Sequence, residues 1–97
     1  MSIRGREFST FASIVIGHIE NYTVAQYGDA PFDPVQQWPA QKCVDSMSRY
    51  VSRFNSNRRG RIEQLRDLVK IAHYAAMTLN KLEPTPEEIE KLKLGES

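Results

Sequence analysis

Cysteine is nearly missing from this chain: Cys43 is the single one in 97 residues. That excludes an intrachain disulfide framework and an all-cysteine metal site, and it suits a reducing cytoplasm, the compartment expected here. On an apolar helix face, Cys43 is expected to be a small buried residue whose thiolate is disfavoured. Long hydrophobic runs are lacking too. The longest apolar-rich stretch, residues 11–19, is far short of the about 20 residues a membrane span needs, and no small-residue cleavage site follows the basic start, so neither a span nor an export signal is expected. Glycine and proline number only five each, beside 40% hydrophobic and 26% charged residues. Such composition excludes collagen-like and disordered classes and leaves one globular domain over 1–97, fraying at its first few residues and at 94–97.

Catalytic signatures are equally scarce. There is no glycine-rich phosphate loop, no His-Glu-x-x-His, no calcium loop and no serine in a nucleophile elbow. All-α nucleotide pyrophosphohydrolases hold magnesium with acids at Glu-x-x-Glu and Glu-x-x-Asp spacing. Here the sole Glu-x-x-Glu is Glu87 to Glu90, and Glu63 to Asp67 is one residue too wide. No cofactor is called for.

What is present is helical periodicity, while the alternation of strands is wanting. The expected fold is all-α: a compact three-helix bundle with a short additional C-terminal helix. Phe8, Phe11, Ala12, Val15, Ile19 and Tyr22 share one face of a first helix running from about Arg4 or Phe8 to Ala25, which Gly28 and Pro31 end. Asp33-Pro34 supplies a cap and a first-turn proline, so Phe32, Val35 and Trp38 are expected on a single turn closing one end of the core. Pro39 opens a second helix with the narrow stripe Ala40, Cys43, Val44, Met47, Tyr50, Val51 and Phe54; the polar connection 55–60 is short enough to make the next helix its antiparallel neighbour. That third helix, from about Arg61 to Lys81, carries a wide apolar arc including Leu65, Leu68, Val69, Ala72 and Ala76, and is expected at the centre. Thr85-Pro86-Glu87-Glu88 has the capping-box arrangement for a last helix to about Leu92.

Net charge is only +1 but unevenly placed. Residues 1–41 and 71–97 each carry −2, whereas 42–70 carry +5, and local fields govern anionic partners. Lys42, Arg49 and Arg53 lie opposite the apolar stripe of the second helix, Arg58, Arg59 and Arg61 cluster at its end, and Arg66 and Lys70 stand at i, i+4 on the third. Such a strip suits phosphate oxygens, helped by the backbone N–H groups at Gly60-Arg61-Ile62. The third helix is too apolar to read a DNA groove. His18 and His73 both fall on or beside apolar arcs and are expected to be partly buried, hydrogen-bonded core residues. The alternative gathers Asp29, Asp67 and His73 around a divalent ion.

The runs Tyr22-Thr23-Val24-Ala25-Gln26-Tyr27-Gly28-Asp29, Arg49-Tyr50-Val51-Ser52-Arg53-Phe54 and Leu65-Arg66-Asp67-Leu68-Val69-Lys70-Ile71-Ala72-His73-Tyr74 resemble a family of small helical proteins of bacteria and their phages without an established activity. The likeness spans about residues 10–82 and implies an accessory role, with Gln26, Asp29, Arg53, Arg66, Asp67, Lys70 and His73 as the polar candidates. Three functions follow as expectations. The first is a non-catalytic module whose basic face, residues 42–70, meets nucleic acid or an acidic protein. The second is a metal-dependent nucleotide-processing enzyme. The third is a self-associating structural protein with Tyr50, Ile71, Tyr74 and Leu82 forming an apolar patch.

Overall fold

The computed structural model describes residues 1–29 and 38–96, and the turn expected around Asp33-Pro34, with Phe32 and Val35, lies outside them. Every regular element among the described residues is helical. Helix α1 (Ile3–His18) begins where the Ser2 hydroxyl accepts a hydrogen bond from the Gly5 N–H at 3.0 Å, earlier than apolar spacing alone indicates. It runs without a break into a π-helical turn, Ile19–Thr23, and then into α2, Val24–Tyr27. A π turn takes in one residue more than an α turn, so every side chain beyond residue 19 is rotated away from the face a uniform helix would give it. Gly28, at φ 81° and ψ 178°, ends the helix in a conformation open to glycine alone.

Helix α3 (Ala40–Ser56) follows the extended Pro39, whose fixed φ suits a helix entry. Left-handed Asn57 (φ 47°) closes α3, and Gly60 (φ 90°) opens α4 (Arg61–Lys81). The tight turn between them is tied by Gln64 Nε2 donating to the Phe54 carbonyl. Helix α5 (Pro86–Leu94) has the full capping box: the Thr85 hydroxyl accepts from the Glu88 N–H, and the Glu88 carboxylate accepts from the Thr85 N–H.

Packing is dominated by α3 against α4, with α1 on α4 as a lesser contact. Helix α4 is thus shared by both, but α1 and α3 make no comparable contact with each other, and α5 packs extensively on no helix. The molecule is all-α, with α4 packed extensively on α3 and less on α1. Among the described residues the buried set is small: Cys43 and Val69, with polar Ser46 and Asp67, all on α3 and α4. A radius of gyration of 14.9 Å exceeds the ~12 to 13 Å of a compact chain this long. The apolar arc of α4 is wider than its neighbours cover, and Ile62, Leu65, Leu68 and Leu79 stay exposed. Among the described residues, no helix is long and apolar enough to cross a membrane.

Candidate functional site

Where the end of the long N-terminal helix meets α3 and α4, aromatic side chains enclose a cavity of about 340 Å³. The π turn and α2 contribute Tyr22, Thr23 and Tyr27, α1 contributes His18, and the residue before α3's proline is Trp38. Tyr50 comes from α3, and Lys70, His73, Tyr74 and Met77 from α4. Among the described residues no carboxylate lines this cavity.

The rings are organised. Tyr50 and Tyr74 stack across the α3/α4 contact, with centroids 5.7 Å apart and planes at 27°. His18 stacks on Tyr22 at 5.1 Å and 23°, a pairing made where the helix widens into the π turn. His73 lies 6.4 Å from Tyr74, tilted. Tyr22 and Tyr27 remain 44% and 56% exposed, so their rings border the cavity without being consumed by packing.

Cations surround these rings. Lys42 Nζ sits 4.1 Å from the Trp38 ring centroid, and the Arg53 guanidinium and the Lys70 ammonium lie 5.3 and 5.2 Å from that of Tyr50. Each contact draws on the negative face of the aromatic ring. Burial lowers the pKa of Lys70, opposed by Glu63 and Asp67 and assisted by Arg53 and Arg59. Burial likewise lowers the His18 pKa, with Lys70 and Arg66 adding to the effect. The Tyr74 phenol is pushed up by burial and by neighbouring Tyr50.

The eight basic residues of the expected strip therefore divide by surroundings. Lys42, Arg53 and Lys70 stand over pocket aromatics. Arg49 donates to the buried Ser46 hydroxyl. Arg59 and Arg66 both pair with Glu63, the first at 3.3 Å. Arg58, exposed with Arg61 at the turn, joins Arg53, Arg59, Glu63 and Asp67 around a second cavity of about 260 Å³. That second cavity carries its own acids, one of them, Asp67, only 4% exposed. Its arginines, Arg53 among them, are thus partly neutralised.

The alternative site is not assembled. Asp67 faces the second cavity and His73 the first, while Asp29 is exposed just beyond Gly28. Among the described residues, no three His, Cys, Asp or Glu side chains are grouped to hold a metal ion. The apolar patch expected from Tyr50, Ile71, Tyr74 and Leu82 is not formed either: the first three are half-buried, and only Leu82 is exposed. His18 and His73 are half-buried as expected, but on a cavity wall instead of in a core. Sequence reasoning assigned Tyr22, Tyr50 and Trp38 to packing and Tyr74, with Tyr50, to an exposed apolar patch, and missed that they converge. A usable signal was there, in the recurrence of Tyr, Trp and His at 18, 22, 27 and 38 and again at 50, 73 and 74. Compared with protein-family models, curated proteins and solved structures, the chain matches none of them.

Proposed function

We propose that this chain is a binding module, without catalysis of its own, that uses the basic face of residues 42–70 to meet an anionic partner, nucleic acid or an acidic protein. One observation carries the reading. Lys42, Arg53 and Lys70, drawn from two helices, are held over aromatic rings that line a cavity with no carboxylate among its described lining residues. Among the described residues none of the three is in a salt bridge, although Glu63 and Asp67 act on Lys70 and share a cavity with Arg53, so part of their charge is left for a partner. Association driven by such a strip releases counterions and weakens steeply with salt. A polarisation titration of labelled oligonucleotides and of polyglutamate at 50 and 200 mM salt tests it. The expected result is at least one salt-sensitive complex, weakened by Arg53→Glu; an absence of binding to all of them would end this reading.

A second reading, self-association, is favoured by a different observation. The first half of α1 exposes Ile3 and Phe8, and α5 exposes Leu92 and Leu94 while packing extensively on no helix. Bases outnumber acids on that half of α1, Arg4 and Arg6 against Glu7, and acids outnumber bases on α5, Glu87, Glu88 and Glu90 against Lys91 and Lys93, with Glu87 and Lys91 paired. A second copy is the occupant proposed for both faces, α5 of each on α1 of the other. This reciprocal exchange satisfies a two-fold axis.

A further inference from the structure

We infer that the aromatic cavity receives one unstacked nucleobase, with its phosphate on the adjoining cations, so that the anionic partner is single-stranded nucleic acid. This deepens the binding-module reading and rests on it. Three features of the cavity select that ligand chemistry.

The first is the wall. A peptide carboxylate gains from arginines and lysines but has nothing to place against a ring, whereas every base has a π-face and stacks on aromatic side chains with little regard to sequence. Tyr22 and Tyr27 hold large ring surfaces open at the cavity, and the His18–Tyr22 stack already presents the parallel geometry that a third ring extends. The second is size. About 340 Å³ is at the lower end of small-ligand pockets, room for one heteroaromatic ring system and its sugar, while a base pair within a duplex keeps both faces covered and cannot enter. The third is the polar complement. Tyrosine hydroxyls and Thr23 supply donors and acceptors for a base edge, and Lys70 and Lys42 stand at cavity residues where the charge of a phosphate is needed.

Aromatic walls with cations are chemistry shared by a base within a strand and by a free nucleotide, and the test separates the two. Trp38 is the only tryptophan and lines the cavity, so its fluorescence reports occupancy directly. The full chain is titrated with an eight-residue oligothymidylate, an abasic phosphodiester of equal length and charge, a duplex of equal length, and thymidine monophosphate. The expected order places the single strand about tenfold or more tighter than the abasic strand, from base stacking, with Trp38 quenched only by ligands bearing an unpaired base. Polarisation measurements on Tyr22→Ala, which removes a ring that holds none of the three cations, are expected to bring the single strand down to the abasic affinity and leave abasic binding unchanged, which also shows that the variant folds. Monophosphate binding as tightly as the strand would identify a free nucleotide as the ligand and overturn the single-strand assignment. Equal affinity for base-bearing and abasic strands would overturn the inference while leaving the basic-face reading intact. Preference for duplex or for polyglutamate would overturn it in favour of those partners, and failure of every anion to bind would remove the basic-face reading as well.

Discussion

His18 and the glycines Gly17 and Gly28 give the residue scale its sharpest tests. Burial, then the Lys70 and Arg66 charges, hold the His18 pKa below its ordinary value of 6.5. The unfolded chain then takes up a proton more readily than the folded one, so the stability from neutral His18 is fully present above about pH 6.5 and declines as the pH falls through that value. We expect the melting temperature to drop between pH 7 and pH 5 and the drop to be smaller in His18→Gln. By NMR the His18 midpoint should lie below 6.5 and rise when an anion occupies the cavity; a midpoint above 6.5 in the free protein would contradict this. The glycines make an opposed pair. A Cβ would meet nothing within 4 Å at either position, so only the backbone decides. Gly17 is helical, and Gly17→Ala should stabilise by about 0.5–1 kcal/mol. Gly28 has φ 81°, and Gly28→Ala should destabilise by roughly 1–3 kcal/mol. Thermal or denaturant unfolding of the two variants reads the signs directly.

Among the elements, α5 isolates what a cap contributes. It spans nine residues and packs extensively on no other helix, so within a single chain its persistence depends on the Thr85–Glu88 box, Pro86 and the left-handed Gly95. Helices this short are marginal in water without such support. Thr85→Ala removes an N-cap bond worth about 1 kcal/mol. Because little else rests on α5, the loss should appear as roughly fivefold faster amide exchange within it, with the unfolding of α3 and α4 unchanged. An equal loss of protection throughout the chain would show that α5 is integral to the core. This helix was fully legible in Thr85-Pro86-Glu87-Glu88, as was the start of α3 in Pro39, because caps are local chemistry. The π turn at 19–23 was not legible, since no residue type marks it, and a uniform helical wheel misplaces Tyr22 as a result. The pocket was hidden for a related reason. Periodicity sorts residues within one helix and says nothing of pairs such as Tyr50 with Tyr74. Each ring looked like core, each lysine like solvent-facing charge, and only their convergence gives a site.

For the whole molecule the governing fact is how little it buries. Among the described residues, the apolar side chains other than Cys43 and Val69 keep some contact with solvent, and Phe8 is 68% exposed. Apolar burial contributes about 25 cal/mol per Å², so a fold that leaves two helices partly uncovered gains stability wherever a second surface covers them. The proposed exchange of α5 onto α1 would do so between an α1 half where bases outnumber acids and an α5 where acids outnumber bases. It also leaves the aromatic cavity untouched, since no cavity residue lies in α5 or in the first half of α1. Sedimentation equilibrium should give a mass that rises with concentration toward twice that of one chain. Phe8→Asp should hold the mass at one chain at every concentration, and Leu92→Lys should do the same with the α3/α4 hairpin unaltered by circular dichroism and with oligonucleotide affinity per chain retained. A wild-type mass that stays at one chain into the millimolar range would mean that these faces are not an interface between copies.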